Sequence, residues 1–265
     1  MRTTTVFRTA LVSGLVLCAA SLCAAAIAVD VSIRVGPPPL PVYSQPVCPG
    51  PGYLWMPGYW AYGPDGYYWV PGTWVMAPRP GLLWTPGYWG WSDGVYLWHE
   101  GYWARHVGFY GGISYGFGYT GTGFVGGYWR EGVFSYNRSV TNVNVTMVHN
   151  TYTKVVDKNV TVNRVSFNGG TAGTHARPNA AELAAARERH VPPTVQQTRH
   201  CSDARGDRTL LASENHGQPP APSLAKHAAW GPGGERGRIA ASEREDLDER
   251  DGHQKFRQEP RARRR

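Results

Sequence analysis

The side chains of this sequence best suited to chemistry are aromatic, and they recur at one spacing. Four six-residue phrases read WMPGYW from Trp55, WVPGTW from Trp69, WTPGYW from Trp84 and WHEGYW from Trp98, and a degenerate fifth, FVGGYW, begins at Phe124. Tryptophan and tyrosine rings stabilise contacts by burial and stacking, either on one another or on a ligand such as a sugar ring. Some of these rings can therefore build the fold, and others can remain available to a partner.

Other short motifs that resemble catalytic signatures lack the surroundings that catalysis needs. Residues 116–121 spell GFGYTG, a match to GxGxxG, but they lie in a glycine- and aromatic-rich run without a strand–helix context. The nine histidines are scattered without a second ligand at metal spacing, and Asp65 and Asp93 fit turn positions better than an acid–base pair. The sequence contains no GxSxG or HExxH motif. We therefore predict no enzyme activity, no cofactor and no metal site.

Glycine and proline recur too often in the phrases for a long helix, so they favour short strands joined by turns. The phrases begin 14 or 15 residues apart. Proline fits the first central position of a type II turn, and glycine fits the second, where φ is positive. Each phrase would then turn the chain so that its two tryptophans face each other, as Trp69 and Trp74 would in the second copy. The predicted turn glycines are Gly58, Gly72, Gly87, Gly101 and Gly127.

The spacers between the phrases contain turn residues of their own. GPDG at 63–66, APRPG at 77–81 and the Asp93-Gly94 step are typical turn sequences. Turns centred on these spacers would pair Trp60 with Trp69, Trp74 with Trp84, and Trp89 with Trp98. We therefore predict an all-β fold, an antiparallel meander of short hairpins with a tryptophan ladder across one face. The ladder consists of Trp55, Trp60, Trp69, Trp74, Trp84, Trp89, Trp98 and Trp103.

A second set of rings points away from the ladder. Tyr59, Tyr88 and Tyr102 each precede the second tryptophan of a phrase, and successive strand residues point to opposite faces. Trp91 is a further candidate contact residue, and these four residues are together called the candidate contact face. Two alternatives remain open at this point. Either the valine-rich strands that follow cover this face, or it meets a polysaccharide, another envelope component or another protein.

Composition divides the chain into five regions. A signal peptide is predicted at 1–28, a proline-rich linker at 29–52, the aromatic repeat region at 53–136, and Val/Asn/Thr-rich strands at 137–170. Residues 171–265 are polar and basic, and we predict a mostly disordered tail with one short helix at about 180–190. Asn179 would cap that helix, Glu182 occupies the capping-box position, and two prolines follow.

The N-terminus predicts export. Arg2 and Arg8 form a short basic region, an uncharged apolar run follows from Thr9 to Val29, and Ala26-Ile27-Ala28 fits cleavage after Ala28. An uncleaved membrane anchor is the alternative, because the run is nearly long enough to span a bilayer. After cleavage no other stretch of the sequence is predicted to span. Two cysteines, Cys48 and Cys201, would then remain, and the sequence leaves their pairing open.

Export also limits the partners. The net charge of +8 suits anionic envelope polymers or lipids, whereas an exported protein is not expected to bind nucleic acid. The tail ends in RQEPRARRR and carries much of the positive excess.

At its four phrases the chain resembles the bacterial WXXGXW (YXWGXW) repeat family. The similarity continues through GGYWREGVFSYNRSVTNVNVT and SFNGGTAGTHARPNAAELAAARERHVPPT to about residue 217. Members of that family are exported or envelope-associated proteins of Gram-negative bacteria without an established function. The resemblance therefore implies a periplasmic, outer-membrane-associated or extracellular location and no active site.

Taken together, the residues and the resemblance predict an exported structural or interaction protein of the cell envelope that performs no catalysis. Its contact surface would be the aromatic sheet. The alternative is a carbohydrate-binding module, in which exposed tryptophan and tyrosine rings stack on an exopolysaccharide or on cell wall. The sequence leaves the oligomeric state open.

Overall fold

The computed structural model describes residues 32–156 and 164–224, and the predicted signal peptide at 1–28 lies outside them. Short strands dominate this part of the chain, which confirms the predicted all-β class. The strands are β1 Ser32–Ile33, β2 Tyr53–Met56, β3 Tyr59–Gly63, β4 Gly66–Val70, β5 Gly72–Met76, β6 Leu83–Thr85, β7 Tyr88–Ser92, β8 Val95–His99, β9 Tyr102–Ala104, β10 Ser114–Gly116, β11 Tyr119–Thr120, β12 Gly127–Arg130, β13 Val133–Asn137, β14 Thr151–Tyr152, β15 Phe167–Asn168 and β16 Ser223–Leu224. The helices are α1 Ala180–Ala185, α2 Val195–Gly206 and α3 Ala212–Asn215, with a 3₁₀ turn at Arg208–Leu210. Within the described residues, no helix has the length and hydrophobicity that crossing a membrane requires.

Each pair of phrases folds into one long, interrupted hairpin. In the first hairpin, residues 53–76, β3 pairs with β4 and β2 pairs with β5. In the second hairpin, residues 83–104, β7 pairs with β8 and β6 pairs with β9. The structure confirms the predicted pairs Trp60–Trp69 and Trp89–Trp98. The predicted pair Trp74–Trp84 is wrong, because Trp74 pairs with Trp55 and Trp84 pairs with Trp103.

The Pro-Gly steps interrupt the strands without reversing the chain. Proline has no N–H to donate to a ladder, and β2 ends at Met56 before the step while β3 begins at Tyr59 after it. The chain reverses in the spacers instead, as at Asp93 and Gly94, whose φ angles of 50° and 88° are typical of a type I′ turn. The predicted turn within each phrase, with Trp69 facing Trp74, is therefore wrong.

The Pro-Gly steps require glycine because a side chain at that position would collide with the facing phrase. None of the five predicted turn glycines, Gly58, Gly72, Gly87, Gly101 and Gly127, has a positive φ, so their assignment to type II turns is wrong. A β-carbon on Gly72 would lie 2.6 Å from Cζ2 of Trp55 and 2.9 Å from the backbone nitrogen of Gly58. Trp69 covers Gly58, Trp84 covers Gly101, and Trp98 covers Gly87 in the same way. The first tryptophan of each phrase thus lies on the glycine of the facing phrase.

The proline-rich lead, predicted as a linker, packs against the hairpins. The carbonyl of Pro39 accepts a hydrogen bond from the indole N–H of Trp60 at 3.2 Å, and the carbonyl of Pro46 accepts one from Trp74 at 3.0 Å. A polyproline-type segment forms no internal backbone hydrogen bonds, so its carbonyls remain available as acceptors. At its start, β1 pairs with β8.

Residues 137–170 form fewer strands than their alternating valines predict. Only β14 and β15, with two residues each, lie in the described part of this region. Asparagine explains the difference. The Asn144 side chain accepts from the backbone N–H of Thr146 at 2.9 Å, and the Asn144 carbonyl accepts from Val148, so this stretch turns. Val160 and Val162, whose alternation also favours a strand, lie outside the described residues.

Residues 171–224, part of the tail predicted to be mostly disordered, pack on the hairpins. The predicted short helix is α1, and its Asn179–Glu182 capping box is present. The unpredicted helix α2 lies against both hairpins. His200 Nε2 donates to the carbonyl of Pro71 at 2.8 Å, and the Gln197 side chain accepts from the indole of Trp103 at 2.8 Å. The rest of the tail, from residue 225, lies outside the described residues.

Candidate binding cleft between the two hairpins

The tryptophan ladder forms the interior of the two hairpins. Its four cross-strand pairs have ring centroids 5.2–5.3 Å apart. Seven of the eight rings are buried, and Trp98 is half-buried. Edge and tilted packing of this kind adds roughly 0.5–1.5 kcal/mol per pair beyond burial, which stabilises strands of only three to five residues. These rings are consequently part of the frame.

The predicted contact face is not one open stripe. Tyr88 stacks on His99 with ring centroids 4.4 Å apart, and Tyr102 stacks on His190 at 3.6 Å. Both tyrosines are half-buried. Trp91 is 37% exposed and packs edge-on against Tyr96. Histidine and phenylalanine rings cover Tyr88 and Tyr102, and the end of the Val/Asn/Thr-rich region, at 169–170, lies on Trp91.

Tyr59, the fourth member of the predicted face, lies instead in a cleft where the two hairpins meet. Its ring stacks on Trp98 of the second hairpin, with centroids 5.2 Å apart and planes inclined by 18°. The indole of Trp89 also donates to the carbonyl of Trp60 at 2.8 Å. These contacts join the hairpins side by side and leave a gap that α2 closes along one side.

This cleft has a volume of about 460 Å³. The first hairpin contributes Met56, Tyr59, Tyr62 and Tyr68, the second contributes Trp84, Trp89, Trp98 and Glu100, and α2 contributes Gln197, Thr198, Cys201, Ser202 and Arg205. Aromatic and aliphatic carbon thus forms most of the wall, and a few polar groups converge on it from α2 and from Glu100. Cavities of this size and composition typically hold small organic ligands.

Two phenols of the cleft, Tyr59 and Tyr68, have raised pKa values. Burial raises the pKa of Tyr59 well above its usual range, and the nearby Cys201, Tyr68 and Glu100 raise it further. Burial and Cys201 raise the pKa of Tyr68 to about 12, although Arg205 acts in the opposite direction. At neutral pH these side chains are therefore hydrogen-bond donors, and they do not act as bases.

A polar chain links α2 to the first hairpin at the same place. The Cys201 thiol lies 3.4 Å from the Tyr68 hydroxyl, and Arg205 Nε donates to that hydroxyl at 3.4 Å. The guanidinium carbon lies 5.8 Å from the centre of the Tyr68 ring. This contact raises the pKa of Arg205, which keeps a positive charge at the cleft.

Sequence reasoning missed the α2 side of the cleft. A signal for the helix was present, because Thr194 and Gln197 form a capping box at its start. The polar composition of the segment concealed its burial. Cys48 and Cys201, whose pairing the sequence left open, are both free thiols. In the described part of the chain, no group of three or more His, Cys, Asp or Glu side chains is arranged to hold a metal ion.

A family model described as the WXXGXW repeat matches the chain in two copies, at residues 50–75 and 79–104. The two copies coincide with the two hairpins, so one repeat comprises two phrases and folds as one interrupted hairpin. The chain thus contains two WXXGXW repeats, and the cleft lies between them. No curated protein and no solved structure matches the chain.

Proposed function

We propose that this chain is an exported cell-envelope protein that binds an envelope component without catalysis, and that the cleft between its two repeats is the contact site. The observation that carries the proposal is the cleft itself, with about 460 Å³ enclosed by two repeats and a helix. A site built from three separate elements on a tryptophan frame is largely formed before a ligand arrives, which reduces the entropic cost of binding.

The groups in the cleft favour binding over catalysis. Among the described residues that line it, Glu100 is the one carboxylate and there is no histidine. Hydrolysis of a glycosidic bond generally uses two carboxylates, one on each side of the bond. The neutral tyrosines and the Arg205 guanidinium donate hydrogen bonds, and the aromatic wall supplies apolar contact. These groups are suited to holding a ligand unchanged.

Export is supported by the N-terminal sequence. The basic residues Arg2 and Arg8, the apolar run and the small residues Ala26 and Ala28 together have the form of a secretory signal. We place the protein in the periplasm, at the outer membrane or outside the cell.

The structure favours a contact site for the partner that differs from the one predicted by the sequence. The aromatic sheet face offered by sequence analysis is half-buried at Tyr88 and Tyr102, whose faces already stack on histidines. A carbohydrate-binding surface on that face would retain only Trp91 as an exposed ring among its predicted residues. We therefore assign the contact role to the cleft and a framing role to the ladder.

The proposal is tested by cell fractionation and by retention of the purified chain on isolated bacterial envelopes. Ser202 is exposed on α2 and lines the cleft, so Ser202→Trp fills the cleft without removing a buried group. We expect this variant to lose retention. Ser213→Trp, which places the same ring on exposed α3 outside the cleft, should bind like the unchanged chain. Equal retention of both variants, or a cytoplasmic location, would show that the proposal is wrong.

A further inference from the structure

The cleft is also specific enough to indicate a class of ligand. We infer that it binds a neutral, β-linked disaccharide segment of a glycan. This inference rests on the binding function proposed above and adds the chemistry of the ligand. The features that carry it are the aromatic rings, the polar groups beside them and the two opposite charges.

The aromatic wall suits the apolar faces of sugar rings. Tyr59 and Trp98 stack on each other across the two repeats, and both half-buried rings line the cleft, with the buried Trp84 and Trp89 behind them. A β-linked sugar with equatorial hydroxyls exposes flat patches of C–H groups. Such patches bury well on aromatic carbon while the hydroxyls remain at the edges.

The polar groups suit those hydroxyls. Glu100 and Arg205 both line the cleft, Glu100 near Tyr59 and Arg205 near Tyr68. Carboxylate and guanidinium groups are planar, and each makes two parallel hydrogen bonds, which matches a pair of neighbouring hydroxyls. The hydroxyls of Ser202 and Thr198 line the same cleft.

The charges disfavour the other small ligands that an aromatic cleft could hold. One carboxylate and one guanidinium cancel formally, so the cleft selects neither an anion nor a cation. A quaternary ammonium group is attracted by aromatic rings, but it would meet Arg205 as well as Glu100 and would gain no net charge attraction. A fatty acyl chain would place hydrocarbon beside both charged groups and would make no hydrogen bond to either. A neutral, hydroxyl-rich ligand with a flat apolar face can contact the aromatic rings and hydrogen-bond to the polar groups of the cleft.

The inference is tested by titrating the full chain, expressed in a bacterial host, with defined probes. These are cellobiose and N,N′-diacetylchitobiose as β-linked disaccharides, maltose as an α-linked comparison, and choline and octanoate as the alternative ligands. Calorimetry measures affinity, and tryptophan fluorescence reports on the cleft because three tryptophans line it. We expect saturable binding of at least one β-linked disaccharide, weaker binding of maltose, and no binding of choline or octanoate.

Substitutions locate the site. Glu100→Gln and Arg205→Met should each weaken disaccharide binding by about tenfold or more, because each removes charge-assisted hydrogen bonds. The matched controls are Glu131→Gln, in an exposed turn, and Arg199→Met, on the same helix outside the cleft. Thermal unfolding of each variant shows whether the fold is retained. Binding that is insensitive to Glu100→Gln and Arg205→Met would overturn the assignment to the cleft.

The outcomes separate this inference from the function on which it rests. If the chain binds envelopes through the cleft but binds none of the disaccharides, the ligand class is wrong and the binding function stands. If choline or octanoate binds in place of a sugar, the ligand class is likewise wrong. If envelope retention also survives Ser202→Trp, the binding function at the cleft is wrong as well.

Discussion

The indole of Trp55 lies on Gly72 of the facing phrase, so closely that a β-carbon on Gly72 would come within 2.6 Å of its Cζ2 atom. Gly58 and Gly72 also face each other across the hairpin, because that same β-carbon would lie 2.9 Å from the Gly58 backbone nitrogen. The spacing of the WxxGxW phrase follows from this arrangement. The first tryptophan needs a glycine in the facing phrase, and the glycine needs the facing tryptophan to cover it.

Substitution of Gly72 by alanine should therefore destabilise the fold. The added methyl group meets an indole and a backbone nitrogen, and neither can move without disturbing the hairpin. Overpacking of this kind typically costs about 1–3 kcal/mol in the free energy of unfolding. Chemical denaturation followed by tryptophan fluorescence measures the change.

Gly206→Ala is the matched control for that substitution. A β-carbon at Gly206 meets nothing within 4 Å, and the residue ends α2. Alanine is a better helix former than glycine, so we expect unchanged or slightly higher stability. If Gly72→Ala behaves like Gly206→Ala, the spatial explanation of the repeat glycine is wrong.

Local patterns could be predicted from the sequence, and long-range partners could not. The pairs Trp60–Trp69 and Trp89–Trp98 lie across short spacers, so turn residues alone set their register. The pair Trp55–Trp74 forms only if the chain keeps its direction through the Pro-Gly steps. Proline and glycine are equally suited to a turn that reverses the chain. No property of the local sequence distinguishes these cases. The direction of the chain at a Pro-Gly step depends on the tryptophan ring that covers the glycine, and that ring comes from the facing phrase.

The same reasoning explains why half of the cleft was missed. Gln197 and His200 of α2 are polar, yet both are buried, because Trp103 and Pro71 on the hairpins offer them hydrogen-bond partners. Burial of a polar side chain depends on a partner that the surrounding sequence does not reveal. Tyr59 was predicted as a contact residue from its strand position, but its neighbours in the cleft were not predictable.

Removal of the proline-rich lead should destabilise the hairpins. The lead covers the first hairpin, and the carbonyls of Pro39 and Pro46 accept the indole N–H groups of Trp60 and Trp74. A chain that begins at Cys48 should lose more than the about 1 kcal/mol that one hydrogen bond usually contributes, because apolar ring surface is also exposed to water. A chain that begins at Ser32 is the reference. Equal denaturation midpoints and equal fluorescence spectra for the two chains would contradict a structural role for the lead.

The stability of the fold should fall at alkaline pH. Burial raises the pKa values of Tyr43, Tyr68 and Tyr88 from the ordinary value of 10 to about 12. Between these values the unfolded chain releases protons that the folded chain keeps, so unfolding becomes more favourable as pH rises. The stability is fully present below about pH 10 and is lost as pH approaches about 12. Denaturant unfolding measured at several pH values between 8 and 12 should show this decline.

A single tyrosine tests the source of that decline. Tyr88→Phe removes one of the raised groups, so the free energy of unfolding should fall less steeply with pH above about 10. Tyr128→Phe makes the same chemical change at a ring that is 45% exposed. If both variants keep the steep decline of the unchanged chain, Tyr88 does not contribute to it.

The two cysteines should differ sharply in reactivity, and this difference gives an independent probe of the cleft. Cys201 is partly exposed and lines the cleft, whereas Cys48 is fully buried and burial raises the pKa of its thiol. In a chain that begins at Ser32, a thiol reagent should modify one cysteine quickly and the other only when the protein unfolds. Cys201→Ser should abolish the fast phase.

A β-linked disaccharide bound in the cleft should slow the reaction of Cys201 and leave that of Cys48 unchanged, since only Cys201 lines the cleft. Two fast phases, or no free thiol before reduction, would contradict the positions of both residues.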